Sequence, residues 1–96
     1  MANKKFDLGR IVVTKEIEDK MKADNGFKVF IQTSLGKYAD GNWGVTKKED
    51  RKANDEALKT GDRIFAVYRR PNTEEKVWII TEAGRSVTTI LFPDQY

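Results

Sequence analysis

The spacing of apolar residues divides the chain into two parts with different secondary structure. Between Phe27 and Tyr38 the apolar positions recur at intervals of three and four residues, which is the period of an amphipathic helix. From Arg63 onward, short runs of β-branched and aromatic residues are separated by turn sequences, which is typical of strands. The pattern therefore predicts helices first and a three-stranded antiparallel meander afterwards.

A first strand and a short helix precede the helix at 27–38. The stretch FDLGRIVV at 6–13 is rich in β-branched and aliphatic residues, which favours a strand that follows a flexible basic arm at 1–5. Thr14 stands where it can cap a helix over 15–23, and the sequence DNG at 24–26 is expected to end that helix in a turn.

A third helix is predicted to run to about Lys59. Thr46 and Glu49 have the spacing of a capping box at its start, and Gly61 is suited to a left-handed residue at its end. Because this segment is mostly charged, the helix is expected to lie on the surface. Its apolar anchors are Ala53, Ala57 and Leu58.

Together these elements predict a single α+β domain over residues 1–96. It has three short helices and a mainly antiparallel four-stranded sheet that ends in a β-meander, and 96 residues suit one hydrophobic core. The strand KVWIIT at 76–81 carries apolar residues on both faces, which indicates a central position. The predicted core comprises Phe30, Ile31, Leu35, Ile64, Val67, Ile79 and Ile90.

Composition narrows the chemistry. The chain has no cysteine and no histidine, so thiolate chemistry and histidine-based catalysis or metal binding are excluded. We therefore predict a protein that is not an enzyme and needs no metal or cofactor. Since no apolar run approaches the length of a membrane span and the start lacks a leader-like apolar core, a cytoplasmic location is expected.

Two groups of polar residues also suggest enzyme sites, although ordinary surface roles explain them more simply. Glu74 and Lys76 have the E-x-K spacing of metal-dependent nucleases, but a partner acidic residue on a preceding strand is missing. A histidine-free endoribonuclease would use Tyr68, Arg69, Arg70, Glu82 and Arg85, whose arginines are more simply explained as solvated charges. On the third helix, three polar residues are interpreted as a solvated face: Asp50, Asn54 and Asp55.

The turn EAG at 82–84 presents the most specific candidate for protein recognition. Gly84 suits a positive φ there, and Glu82 and Arg85 flank the turn, where they form either a weak surface ion pair or a recognition site at the hairpin tip. Trp43, in DGNWG, is either a plug at the edge of the core or a stacking platform. The predicted partner-binding residues are Trp43, Tyr68, Glu82, Arg85 and Thr88.

The basic residues support an alternative. The net charge of +3 and the pI near 9.2 describe a weakly basic surface in which the two signs are interleaved. Local excesses occur only near the start and around one turn, which gives five candidates for nucleic-acid binding: Lys4, Lys5, Arg69, Arg70 and Lys76.

Three stretches resemble one family: GNWG at 41–44, GDRIFAVY at 61–68 and VWIITEAGRSVTTILFPDQY at 77–96. They are similar to a family of short proteins of unknown activity carried on plasmids and other mobile elements of bacteria. The chain departs from that pattern at Asn42 and Gly84, where the family has aspartate. Any metal or proton-transfer role of those aspartates would be lost here.

The resemblance implies a context of mobile DNA. With the composition, it leads us to expect a non-catalytic accessory protein that binds and modulates another protein, such as an inhibitor of a host defence nuclease of the anti-CRISPR or anti-restriction type. The alternative is a nucleic-acid-binding accessory factor for plasmid maintenance or transfer.

Overall fold

The computed structural model describes residues 5–96 and contains three α-helices and a four-stranded sheet, which confirms the α+β class. The helices are α1 (Lys15–Ala23), α2 (Asn25–Ala39) and α3 (Lys48–Thr60). The strands are β1 (Arg10–Val13), β2 (Ile64–Arg69), β3 (Lys76–Thr81) and β4 (Val87–Leu91), and a 3-10 turn follows at Pro93–Gln95.

The sheet is mixed, with the strand order β1-β4-β3-β2. Strands β2 and β3 pair antiparallel, as do β3 and β4, whereas β1 runs parallel to β4 with Arg10 opposite Val87 and Val13 opposite Ile90. The prediction of a mainly antiparallel sheet was therefore wrong. Alternation of apolar residues indicates a strand but not its direction relative to its neighbours. Here the chain reaches β4 running in the same direction as β1.

The boundary between α1 and α2 is a single residue, Asp24. Its backbone N–H donates to the carbonyl of Lys20 at the end of α1, and its carboxylate accepts from the N–H of Phe27 at 3.1 Å. The sequence DNG ends α1 as predicted, but Asn25 and Gly26 already belong to α2. At the other end of α1, the hydroxyl of Thr14 accepts from the N–H of Ile17, which confirms the predicted cap.

Side chains from α1, α2 and the sheet form one hydrophobic core. Ile64, Ile79 and Ile90 of the strands are fully buried against Ile17 of α1 and Phe27 of α2. Burial of apolar side chains such as these is the main source of stability, because each contributes about 1.5–3 kcal/mol of transfer free energy. Of the predicted core residues, all are buried except two that are only half-buried: Leu35 and Val67.

A chain of hydroxyl groups crosses this core. Tyr38 Oη lies 2.7 Å from Thr81 Oγ1, which lies 2.7 Å from Thr88 Oγ1, and Thr88 donates to the carbonyl of Leu8 at 2.6 Å. Because the proton of Thr88 goes to Leu8, Thr81 donates to Thr88 and Tyr38 to Thr81, and the carbonyl of Ile64 is a second, longer acceptor for Tyr38 at 3.3 Å. The chain thus has one direction, and each buried hydroxyl finds an acceptor.

The free edge of β2 is sealed by α3 and the loop before it. The side-chain amide of Asn54 donates to the carbonyl of Phe65 at 2.7 Å, and its oxygen accepts from the N–H of Phe65 at 3.1 Å. Two residues further on, Val67 donates to Thr46 Oγ1 at 2.8 Å and accepts from the N–H of Val45 at 2.9 Å. An edge strand is thereby closed to other strands.

Two predictions about α3 are corrected by these contacts. Thr46 does not form a capping box with Glu49, since α3 begins after Lys47 without a side-chain cap and the Thr46 hydroxyl is bonded to β2. Asn54 does not lie on a solvated face. The residue is 3% exposed, because its amide forms the hydrogen bonds to Phe65 that a neighbouring strand would otherwise form. The end of α3 is as predicted, with Gly61 at φ 82°.

We predict that Asn54→Ala lowers the free energy of unfolding by about 1–3 kcal/mol, because it leaves the N–H and carbonyl of Phe65 without partners. Denaturant unfolding measures the change. The control is Lys52→Ala on the exposed side of the same helix, for which we expect a change within about 0.5 kcal/mol. Equal effects of the two substitutions would show that the Asn54 bonds contribute nothing specific.

Candidate partner-binding surface

Three of the five predicted partner-binding residues are buried. Trp43 is 5% exposed, Tyr68 3% and Thr88 0%. The indole N–H of Trp43 donates to Asp55 Oδ1 at 2.9 Å, and its ring packs edge-on against Tyr38 with centroids 5.7 Å apart, which is the arrangement of a core plug. Trp43 and Thr88 therefore lie below the surface, whereas part of Tyr68 lines the groove between α2 and the end of β2.

Burial also affects the acidity of the two core tyrosines. Loss of solvation raises the pKa of the Tyr38 and Tyr68 hydroxyls far above the ordinary value of 10.0. The hydroxyl of Tyr68 donates to the carbonyl of Asn42 at 2.7 Å, and so fixes the loop that carries Trp43. Both hydroxyls therefore stay protonated in the folded protein and act as hydrogen-bond donors.

The remaining two predicted residues, Glu82 and Arg85, reach the surface but do not pair with each other. Arg85 donates to the carbonyls of Asp62 at 2.6 Å and Ala57 at 2.7 Å, so its charge lies at the C-terminal end of α3, where a cation is favoured. Glu82 lies 3.9 Å from Arg63 instead. In place of the predicted Glu82–Arg85 pair, Arg85 forms hydrogen bonds that join the hairpin to the end of α3.

The turn beside Arg85 has an unusual backbone. Gly84 has φ 86°, as the sequence predicted, but Arg85 also has a positive φ, 66°. A left-handed conformation is disfavoured for a residue with a side chain. The two hydrogen bonds from the guanidinium hold Arg85 in that conformation.

The predicted basic cluster divides into paired and unpaired charges. Arg70 donates to both carboxylate oxygens of Asp24, at 3.0 and 3.2 Å, and also contacts Glu75. The Arg70 guanidinium holds the pKa of the Asp24 carboxyl below its usual range. By contrast, Arg69 and Lys76 lie opposite each other on β2 and β3, are exposed, and form no ion pair with any residue in 5–96.

The two basic residues near the start lie apart from this pair. Lys5 is exposed, and its backbone N–H donates to the carbonyl of Ala39 at 2.7 Å, at the end of α2. Lys4 lies outside the described residues. Of the predicted basic cluster, Arg69 and Lys76 remain as adjacent unpaired charges. The charge of Arg70 is balanced by Asp24 and Glu75.

The structure adds a groove that the sequence did not predict, between α2 and the end of β2. It has a volume of about 390 Å³. One wall is the face of α2 from Gly26 to Lys37, and the other is formed by Gly44 and Val45 and by residues 68–71. Small residues in both walls leave room for a bound segment to approach the backbone.

The rims of this groove are apolar and its charge is positive. Val29 from α2 is 51% exposed and Val45 from the loop before α3 is 47% exposed, and both line the groove. The charged lining residues are Lys37, Arg69 and Arg70, with no carboxylate among them. Lys37, like Arg69, forms no ion pair within residues 5–96.

One feature of the sequence does point to the groove. Val29 lies off the apolar stripe that faces the core, so a β-branched apolar residue stands where a polar one is expected. Val45 gives no such indication, because its neighbours are loop residues. Val29 and Val45 line the same groove only because the fold places α2 beside the loop before α3.

The described part of the chain, 5–96, has no group of three or more acidic side chains arranged to hold a metal ion. Within that same range, no helix has the length and apolar character to cross a membrane. Comparison with protein families, with curated proteins and with solved structures found no match.

We predict that Arg85→Ala lowers the free energy of unfolding by about 1–3 kcal/mol, because it removes a cation and two hydrogen bonds from the end of α3. Glu82→Ala, beside it on the same turn, is the control and should change stability by less than about 1 kcal/mol. Thermal or denaturant unfolding distinguishes them. An equal, small effect of both substitutions would contradict a structural role for Arg85.

A second prediction concerns alkaline pH. Because the pKa values of Tyr38 and Tyr68 are raised on folding, the folded protein retains protons that the unfolded chain releases above pH 10. Stability from this source is complete below pH 10 and falls as pH rises further. In a Tyr96→Phe variant, which leaves Tyr38 and Tyr68 as its two tyrosines, unfolding followed by circular dichroism should coincide with their ionisation at 295 nm. Ionisation of both without unfolding would contradict the prediction.

Proposed function

We propose that this chain is a non-catalytic accessory protein of a mobile element that binds and modulates another protein through the groove between α2 and β2. One observation carries the proposal: two exposed valines from separate elements line the same groove, which bears only positive charge. Apolar rims supply affinity by excluding water, and the cations select among partners.

The lining defines the chemistry of the bound segment. Apolar side chains would pack on Val29 and Val45, and carboxylates would meet Lys37 and Arg69. The wall from Gly26 to Lys37 spans about three helical turns, roughly 16 Å, which matches about five residues of an extended chain. The partner segment is therefore a short acidic stretch with apolar residues.

A narrower proposal is that the partner is a nuclease of a host defence system, which the protein inhibits. Its support is the resemblance of three stretches of the chain to proteins of mobile elements. Inhibition in this form needs no chemistry from the inhibitor, since occupation of a surface of the enzyme is sufficient. It is consistent with a groove suited to a protein segment.

The alternative function is nucleic-acid binding. It is favoured by the adjacent, unpaired Arg69 and Lys76, with Lys37 also unpaired along the groove. Phosphate contacts of this kind would be independent of sequence and would weaken steeply with salt. Two exposed valines contribute nothing to phosphate binding, which is why protein binding is preferred.

A photo-crosslinking amino acid at position 29 tests the proposal, with position 32 as the matched control. Both positions are exposed on α2, but only Val29 lines the groove. In bacterial cells we expect a protein adduct at position 29 that survives nuclease treatment and is much weaker at position 32. Arg69→Glu in the position 29 variant should reduce the adduct, since it reverses the charge that attracts carboxylates.

Other outcomes contradict the proposal. Equal adducts at both positions, or none at position 29, would exclude the groove as the binding surface. A nucleic-acid adduct, together with binding that weakens steeply with salt, would establish the alternative.

A further inference from the structure

The two edges of the sheet are treated differently. At β2, the backbone N–H and carbonyl groups of Phe65 and Val67 that point away from the sheet are hydrogen-bonded to side chains and to a loop. At β1, the N–H of Arg10 donates to Ser86 and that of Thr14 to Ile90, so these even-numbered positions point toward β4. By strand alternation, the N–H and carbonyl groups of Ile11 and Val13 point away from the sheet.

No described residue bonds to those four outward groups. Ile11 is also 47% exposed, one of four large apolar side chains exposed in residues 5–96. An edge with free backbone groups and an apolar side chain is a template for another strand. Arg10–Val13 contains no proline and pairs with β4 without a bulge, so only its short length and the charge of Arg10 protect this edge.

We infer that two copies of this chain associate through β1, related by a two-fold axis at Val12. Antiparallel pairing then places Ile11 of one copy opposite Val13 of the other, and Val12 opposite Val12. Each Ile11–Val13 pair exchanges two hydrogen bonds, so all four free groups of each copy are satisfied. The result is a continuous eight-stranded sheet.

The side chains favour the same register. Ile11 and Val13 share a face, so the exposed Ile11 would pack on a β-branched residue of the second copy, which is a favourable cross-strand pair. Arg10 would lie opposite Thr14, and like charges would not meet. A self-complementary strand of this kind is what a two-fold interface requires.

The surface beside β1 can extend this contact. Val13 and Met21 form the floor of a shallow depression whose sides are Glu18, Lys22 and Lys28. Glu18 and Lys22 form an ion pair on α1 at 3.5 Å, so the rim offers both signs of charge to the rim of a second copy. Because the strand is only four residues long, the dimer should be weak and should form only at high protein concentration.

This inference goes beyond the proposed function and does not rest on it. The groove lies beside β2, whereas the dimer uses β1 at the opposite edge. Failure of either proposal therefore leaves the other intact, and the two are tested with different variants.

Sedimentation equilibrium of the full chain over a wide concentration range provides the first test. We expect the mass to rise from monomer to dimer. Ile11→Pro removes an outward donor without affecting the bonds to β4, and should weaken association roughly tenfold or more. The control is Lys52→Ala on the exposed side of α3, which lies at the opposite edge of the sheet and should leave association unchanged.

Amide hydrogen exchange provides the second test, and it needs no variant. The amides of Ile11 and Val13 should exchange quickly in the monomer and at least several-fold more slowly at concentrations where the dimer forms. If Ile11→Pro fails to fold by circular dichroism, Ile11→Lys replaces it, since a lysine on the edge also opposes pairing.

Three results would overturn the inference. The first is a monomer at every concentration, and the second is a dimer in which the Ile11 and Val13 amides remain unprotected. The third is a dimer that neither Ile11→Pro nor Ile11→Lys weakens, because association would then use a surface other than β1.

Discussion

The hydroxyl chain from Tyr38 through Thr81 and Thr88 to the carbonyl of Leu8 holds the rest of the structure in place. It joins α2, β3, β4 and the segment before β1 in a region without solvent, where an unpaired hydroxyl or carbonyl would be costly. All its members must therefore be in place together. The chain fixes α2 against the sheet, and it fixes Leu8 at the point from which the backbone enters β1.

The entry into β1 shows how closely the elements are joined. Gly9 has φ 63°, and a Cβ atom there would lie 2.3 Å from the carbonyl oxygen of Arg85. The backbone before β1 thus passes directly over the hairpin between β3 and β4, and Arg85 of that hairpin bonds to α3. Both edges of the sheet are therefore joined to the same core, through Gly9 on one side and through Arg85 and α3 on the other.

The sequence predicted correctly those helix ends and caps that depend on residues close together in the chain. The bounds of α1, the cap at Thr14 and the left-handed Gly61 follow from residues within one turn of each site, and all three are confirmed. The role of Asn54 was missed because it depends on β2, which is distant in sequence. For Arg85 the sequence suggested either an ion pair with Glu82 or a recognition site at the hairpin tip. It gave no indication of the backbone carbonyls of α3 and Asp62 that the guanidinium binds. The direction of β1 and the meeting of Val29 with Val45 likewise depend on the whole fold.

The parallel pairing of β1 with β4 has a consequence for how the chain acquires its fold. Arg10 pairs with Val87, so the strand that is synthesised before the helices can be incorporated only after the last strand has been made. Contacts between residues so distant in sequence carry a large loop-closure cost and slow the search for the native state. During synthesis, β1 would remain unpaired while the helices form, because β4 is the last strand to be made.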